Sequence, residues 1–281
     1  METVSFWSAY DATIERLLEP LARRDGAPET EVAAAESRLG LRLPELLREY
    51  YLRTGRHGGI NGGHQYLLPP DEILRRGDKI LFYFEEQSLL RWAVDMHETT
   101  LEDPPVYGSA EGEEWSVFTE RLSDFLYGML LWQCAQGAME NTGIGIAPRA
   151  RLERAAAALP GWERLVLFDQ TVALMRDGAL VLYSARDTNP SCQVHVGGRT
   201  WRDVEQVADL FRVQWGYLES DGTEDDDGFS LRELSEIVSR QEERARTPWG
   251  NGVCANCGAP KRIWADSARG VCSLCGHPLD P

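Results

Sequence analysis

Nowhere in the 281 residues do about 18 apolar residues run together, which excludes an ordinary membrane-spanning helix. The opening METVSFWSAYDATIERLL lacks a basic start followed by an apolar run, so no secretory signal is expected. Cysteine is scarce. Six in a chain of this length are too few to staple a secreted fold, and four of them crowd into one short segment near the C-terminus. A reduced, cytoplasmic protein is expected. Positive charge is also in short supply, with 29 Lys and Arg against 45 Asp and Glu, which argues against general binding to nucleic acid or to an anionic membrane. Catalytic signatures are missing too: there is no GxSxG elbow and no helical HExxH pair. The run RHGGINGGH (56–64) has neither the lysine-serine ending nor the preceding strand of a phosphate loop, and reads as a connector. No enzyme is expected.

What is present describes a folded protein. A hydrophobic share of 43% supplies a real core, and the length suits two ordinary domains or one large domain with an appendage. The net charge of −16 is unevenly spread: −11 over 1–218, −6 over 219–248 and +1 over 249–281. Solubility is the simplest reason for such acidity, and a docking face for a basic partner is the alternative.

Ile14, Leu17, Leu18 and Leu21 predict a first helix over about 8–22, and a second runs from Glu31 to Leu39 with Gly40 as its left-handed stop. Pro44 fits the first turn of a third helix carrying Leu46, Leu47, Tyr50 and Tyr51 up to Gly55. Strand-like runs follow at ILFYF (80–84), LLRWAV (89–94) and WSVF (115–118), with DPPVYG excluding a helix between the last two. Leu122, Phe125, Leu126, Met129 and Leu130 mark an amphipathic helix, and a shorter alanine-rich one follows near 149–158. ERLVLFDQTVALMRDGALVLYS reads as strands turning at Asp177-Gly178, and CQVHV (192–196) as another strand. Trp201, Val204, Ala208, Phe211 and Trp215 predict a closing helix. The expectation is an α+β domain over 1–218, then an acidic linker and short charged helix over 219–248 with Ser230 and Glu233 as its capping box. Cys134 and Cys192 fall in this domain as buried, inert thiols. Its tryptophans are core by default, though one or two at the edge of a groove could anchor a partner.

The tail, 249–281, carries the strongest chemical signal. Cys254 and Cys257 form one CxxC and Cys272 and Cys275 another, with fourteen residues between the inner pair, each motif followed by glycine. Two such turns supply the four soft donors of a tetrahedral Zn2+, and four ligands close the site, so one structural zinc in a small ribbon is expected. So short a segment cannot bury a core, and metal binding, with on the order of 10 kcal/mol available, would drive its folding. Two disulfides or a redox-active CxxC are the alternatives, which the reducing context and the duplicated motif disfavour.

The segment VAAAESRLGLRLPELLREYYLRTG (32–55) resembles the signature of the SUKH superfamily, through Glu36, Leu39-Gly40, Leu43-Pro44, Tyr50-Tyr51 and Gly55. ILFYFEEQSLLRWAV is similar to that family's strand pair around a Glu-Asn-Gln turn, with Glu86 standing where the turn would have asparagine. The resemblance implies a SUKH-like single domain: a mixed, largely antiparallel sheet flanked by helices. It also implies binding rather than catalysis. Many bacterial members are immunity proteins that neutralise a cognate secreted toxin, often a nuclease, and a fungal relative is a regulatory scaffold of cell-wall synthesis. An immunity protein that occludes a basic toxin domain would give the −16 charge a use, through fast electrostatic steering. Glu85, Glu86, Gln87, Trp92 and Trp115 are the expected partner-binding residues. The alternative is an intracellular adaptor whose zinc ribbon docks a second partner.

Overall fold

A computed structural model describes residues 3–63, 65–85, 90–110, 114–158, 160–186 and 189–220, together with 265–266, 271–272 and 278. Glu219 and Ser220, expected in the acidic linker, end a strand instead, while the rest of the expected linker and helix, 221–248, and most of the cysteine-bearing tail lie outside the described residues. The chain divides into two compact units, Met1–Met139 with Val166–Asp169, and Glu140–Leu165 with Gln170–Pro281. The division falls inside the stretch 1–218 that the sequence suggests as one domain. Each unit has its own six-stranded sheet. Among the described residues no helix is long and apolar enough to cross a membrane.

In the first unit, α1 (Thr3–Leu17) begins and ends earlier than its apolar pattern suggests. Pro20 disfavours a helical Glu19, so Leu21 lies beyond the helix. α2 (Glu29–Leu39) ends as expected, with Gly40 at φ +71°, and α3 (Glu45–Thr54) starts directly after Pro44. The run 56–64 is more ordered than a connector: α4 (Gly58–Asn61) is one helical turn, begun by His57, whose Nδ1 accepts the Ile60 amide at 3.2 Å. Burial of Ile60 and Asn61 fixes that turn.

The sheet runs β1 (Gln65–Leu67), β3 (Lys79–Glu85), β4 (Leu90–Asp95), β5 (Val106–Ala110), β6 (Ser116–Thr119), all antiparallel, with β2 (Leu74–Arg76) also on β3. β5 occupies the segment after the paired prolines, and neither β1 nor β2 was expected. The pairing register shifts between Leu81 and Tyr83, which makes Phe82 an extra residue and lets Phe82 and Tyr83 both turn to one face. There they meet Phe125 of α5 (Leu122–Gln133) at ring-centroid distances of 5.6 and 5.5 Å. Trp92, Phe118 and Phe168 complete the cluster around Phe125. A π-helical turn, Cys134–Ala138, ends this helical stretch.

The second unit orders its strands β12-β7-β11-β10-β9-β8: β7 (Asn141–Pro148), β8 (Glu163–Val166), β9 (Thr171–Arg176), β10 (Ala179–Ser184), β11 (Ser191–Gly198) and β12 (Gln214–Ser220). α6 (Arg149–Ala158) follows β7. Arg176 pairs with Ala179 across the expected turn, where only Gly178 takes a positive φ, +73°. α7 (Trp201–Phe211) is opened by a capping box, Thr200 with Asp203. It is shorter than expected. Arg212 turns left-handed at φ +55° and closes the helix, so Trp215 belongs to β12. β7 was missed because its glycines, Gly143 and Gly145, leave little apolar pattern; they admit Trp215, Leu218 and Val213 side chains that a Cβ would strike.

Candidate functional site

The residues that carry the family resemblance turn out to shape the fold. The Glu36 carboxylate accepts the Leu43 amide at 3.0 Å and lies 3.7 Å from Arg48 Nε, which ties the end of α2 to the start of α3. Tyr51 donates its hydroxyl to the Leu68 carbonyl at 2.8 Å. Tyr10 donates to Tyr50 at 3.3 Å, Tyr50 to Asn61 Oδ1 at 2.9 Å, and Asn61 Nδ2 to the Thr54 carbonyl at 2.6 Å. This chain explains why two adjacent tyrosines are needed: both are fully buried, and each hydroxyl has its own partner. Burial raises the hydroxyls of Tyr10, Tyr50 and Tyr51 above the ordinary phenol range, Tyr50 to about 12, so they stay neutral hydrogen-bonding groups. Beside them, burial pushes up the Cys134 thiol, which is free and inert as expected. Gln133 donates to the Tyr83 hydroxyl at 3.2 Å and to the Gln65 carbonyl, holding β1 on this network.

The expected partner-binding residues separate onto two faces of the sheet. Trp92 is 4% exposed, paired with Tyr83 and packed on Phe125, so it is a core residue and out of a partner's reach. Glu85 shares the Tyr83 side of β3 by alternation, at the strand end opposite Gln65. Trp115 is half-buried on the other face, where the Arg91 guanidinium lies 5.7 Å from its ring. Glu86 and Gln87 lie outside the described residues.

Trp115 sits among side chains that the sequence analysis did not single out. Register puts Phe84 opposite Arg91 and Tyr66 opposite Phe84, the two rings stacked at 6.3 Å. Tyr107 lies between Ala93 and Val117, and Val117 is 48% exposed. Further along the same face, Lys79 Nζ pairs with Asp95 at 2.6 Å and lies 4.2 Å from the Tyr107 ring centroid. Burial alone would lower the Lys79 pKa and raise that of Asp95; their hydrogen bond and mutual charge outweigh it, holding Lys79 above and Asp95 below their ordinary values. The available signal was alternation: Arg91 and Trp92 are neighbours in sequence, so they face opposite sides, and the core claims the tryptophan.

Negative charge gathers at one end of this sheet. Leu90 pairs with Ala110, so the β3–β4 and β5–β6 connections leave from the same end. Glu85 closes β3 there and exposed Glu114 precedes Trp115. The connecting sequences add Glu86, Glu111 and Glu113, which lie outside the described residues. Among the described residues, exposed Glu114 and half-buried Trp115 lead into β6, which carries exposed Val117.

Residues 26–128, which lie within the first unit, match the model of the SMI1/KNR4 family (SUKH-1). No curated protein and no solved structure matches the chain.

Proposed function

From the SMI1/KNR4 (SUKH-1) domain at residues 26–128, we propose that this chain is a cytoplasmic immunity protein that neutralises a cognate toxin by covering it, rather than by chemistry of its own. Proteins of this family typically bind protein partners and are generally non-catalytic. The observation that carries the finer reading lies at this end of the sheet, where exposed Glu114 directly precedes half-buried Trp115 while Glu85 closes β3 on the opposite face. A toxin that cuts nucleic acid must hold phosphates and is therefore basic, and an acidic inhibitor associates with it quickly at low salt. Trp115 and Val117 would supply the apolar centre, and Glu85, Glu86, Glu113 and Glu114 the steering rim.

The test is co-expression with the toxin domain encoded beside this chain, reading growth, together with association rates at low and moderate salt. Wild type is expected to restore growth. Glu86→Lys with Glu114→Lys should slow association about tenfold at low salt, with a smaller effect as salt screens the charges. Trp115→Ala should speed dissociation instead, because an aromatic anchor acts mainly after encounter. Unchanged rates in both variants, or no binding to that toxin at either salt, would overturn the reading.

A further inference from the structure

We propose that Cys254, Cys257, Cys272 and Cys275 hold one structural Zn2+, and that the metal folds the end of the chain as a unit separate in stability from the two cores. Two observations join the CxxC pattern. First, Ala265 pairs antiparallel with Cys272 and Asp266 with Val271. The chain therefore reverses direction between Asp266 and Val271, immediately before Cys272, and such a reversal between the motifs is what two opposed thiolate turns require. Second, the other two cysteines are accounted for: Cys134 and Cys192 are both buried, the first fully and the second at 2% exposure. Cys192 Sγ lies 3.7 Å from the Ala147 carbonyl within its strand pairing. Neither can be drawn into a metal site without opening its core.

The tail is chemically suited to the ion. Each thiol gives up its proton to solvent as it ligates, so four protons leave, and a site of four thiolates around Zn2+ carries a net charge of −2. With four protein ligands no position stays open for water, which makes the ion a cross-link and not a reaction centre. Gly258 and Gly276 follow the two motifs in sequence, and glycine there places no side chain in the way of the tight turn that a thiolate pair needs. Among the described residues no three metal-ligating side chains come together, so zinc retained by the protein has no competing described site.

The experiment uses the full chain, purified without chelator and then reduced, with metal analysis and titration by a thiol-reactive reagent. Close to one zinc per chain is expected, with almost no thiol reacting until a strong chelator is added, and then four, because Cys134 and Cys192 remain shielded. Cys254→Ser with Cys272→Ser should lose the zinc while leaving those two shielded in an otherwise native fold. If the substituted chain is poorly soluble, titrating reduced, metal-free wild type with Zn2+ gives the same answer through a 1:1 endpoint. Failure to take up Zn2+, zinc retained by the double variant, or a native mass lower by four hydrogens, the mark of two disulfides, would each overturn the proposal.

Discussion

The cores of the two units are built on different principles. The first is aromatic: Phe6, Tyr10, Tyr50, Tyr51, Phe82, Tyr83 and Phe125 are its largest fully buried side chains, and the tyrosine hydroxyls are joined by hydrogen bonds. The second is mainly aliphatic, with Val172, Leu174, Val181, Val194, Val196, Val204 and Val207 around Trp201 and Phe211. Its valines sit largely on long, regularly paired strands, where branched side chains pack well. The aromatic core requires more exact placement. Large rings leave large holes when misaligned, and buried hydroxyls must find partners, so register shifts occur where Phe82 and Phe118 turn inward. The difference teaches where specificity resides. The first unit is defined by individual residues, which is why it bears a recognisable family pattern, while the second depends on the sum of interchangeable aliphatic contacts.

The sharpest way to break this contrast is to truncate one side chain in each core. Phe125→Ala removes the ring that meets Phe82, Tyr83, Trp92, Phe118 and Phe168, and should cost about 4 kcal/mol. Val196→Ala in the second core should cost about 2 kcal/mol. Urea midpoints measure both; equal losses would mean that the aromatic cluster has no special weight.

A somewhat smaller effect tests the half-buried ion pair of the first unit. Lys79→Met leaves Asp95, with its side chain 14% exposed, without its cation and should cost about 3 kcal/mol at pH 7. The pH dependence has a definite sign. In wild type Asp95 is held below its ordinary pKa, so its contribution is complete above the unfolded-state value and is lost as pH falls through the folded one. In the variant burial, which raises the Asp95 pKa, is opposed only by His97 and its amide hydrogen bond, so protonation relieves part of the cost. The stability gap should therefore narrow between pH 7 and about pH 4. A gap independent of pH would show that lost packing of the lysine stem, and not charge, sets the effect.

The smallest effects compare single hydroxyls. Tyr50→Phe removes the donor to Asn61 and the acceptor for Tyr10, and should cost about 1.5 kcal/mol. Thr200→Ala removes the cap of α7 in the second unit, where the hydroxyl accepts the Asp203 amide, and should cost about 1 kcal/mol. Thermal unfolding of both variants checks the order. A larger loss for Thr200→Ala would place the more exacting hydrogen bond in the aliphatic unit.

Much of this could be read before any coordinates. Gly40 and Pro44 punctuate the helices where expected, because each acts through its own backbone. The inward stripe of α5 follows from spacing alone, and the glutamate and tyrosines that carry the family resemblance make hydrogen bonds that hold the fold together. The candidate site was half legible. Trp115 and Trp92 were singled out together, and the sheet separates them, Trp92 on the core face and Trp115 beside Arg91 on the other. Arg91 could have been placed by alternation with Trp92, whereas the bulges at Phe82 and Phe118 break the alternation that would have placed Phe84 and Val117.

The sequence by itself determined local events: the helix stop at Gly40, the helix start after Pro44, the hairpin at Asp177-Gly178 and the two CxxC motifs. Each rests on backbone geometry or ligand spacing within a few residues. Only the tertiary structure decided that Trp215 lies on a strand, that Gly58–Asn61 forms a helical turn, and that the apolar mass divides into two cores. It also decided that the β3–β4 and β5–β6 connections leave one end of a sheet together. These depend on strand register and on which surfaces are removed from water, quantities set between residues far apart in the chain.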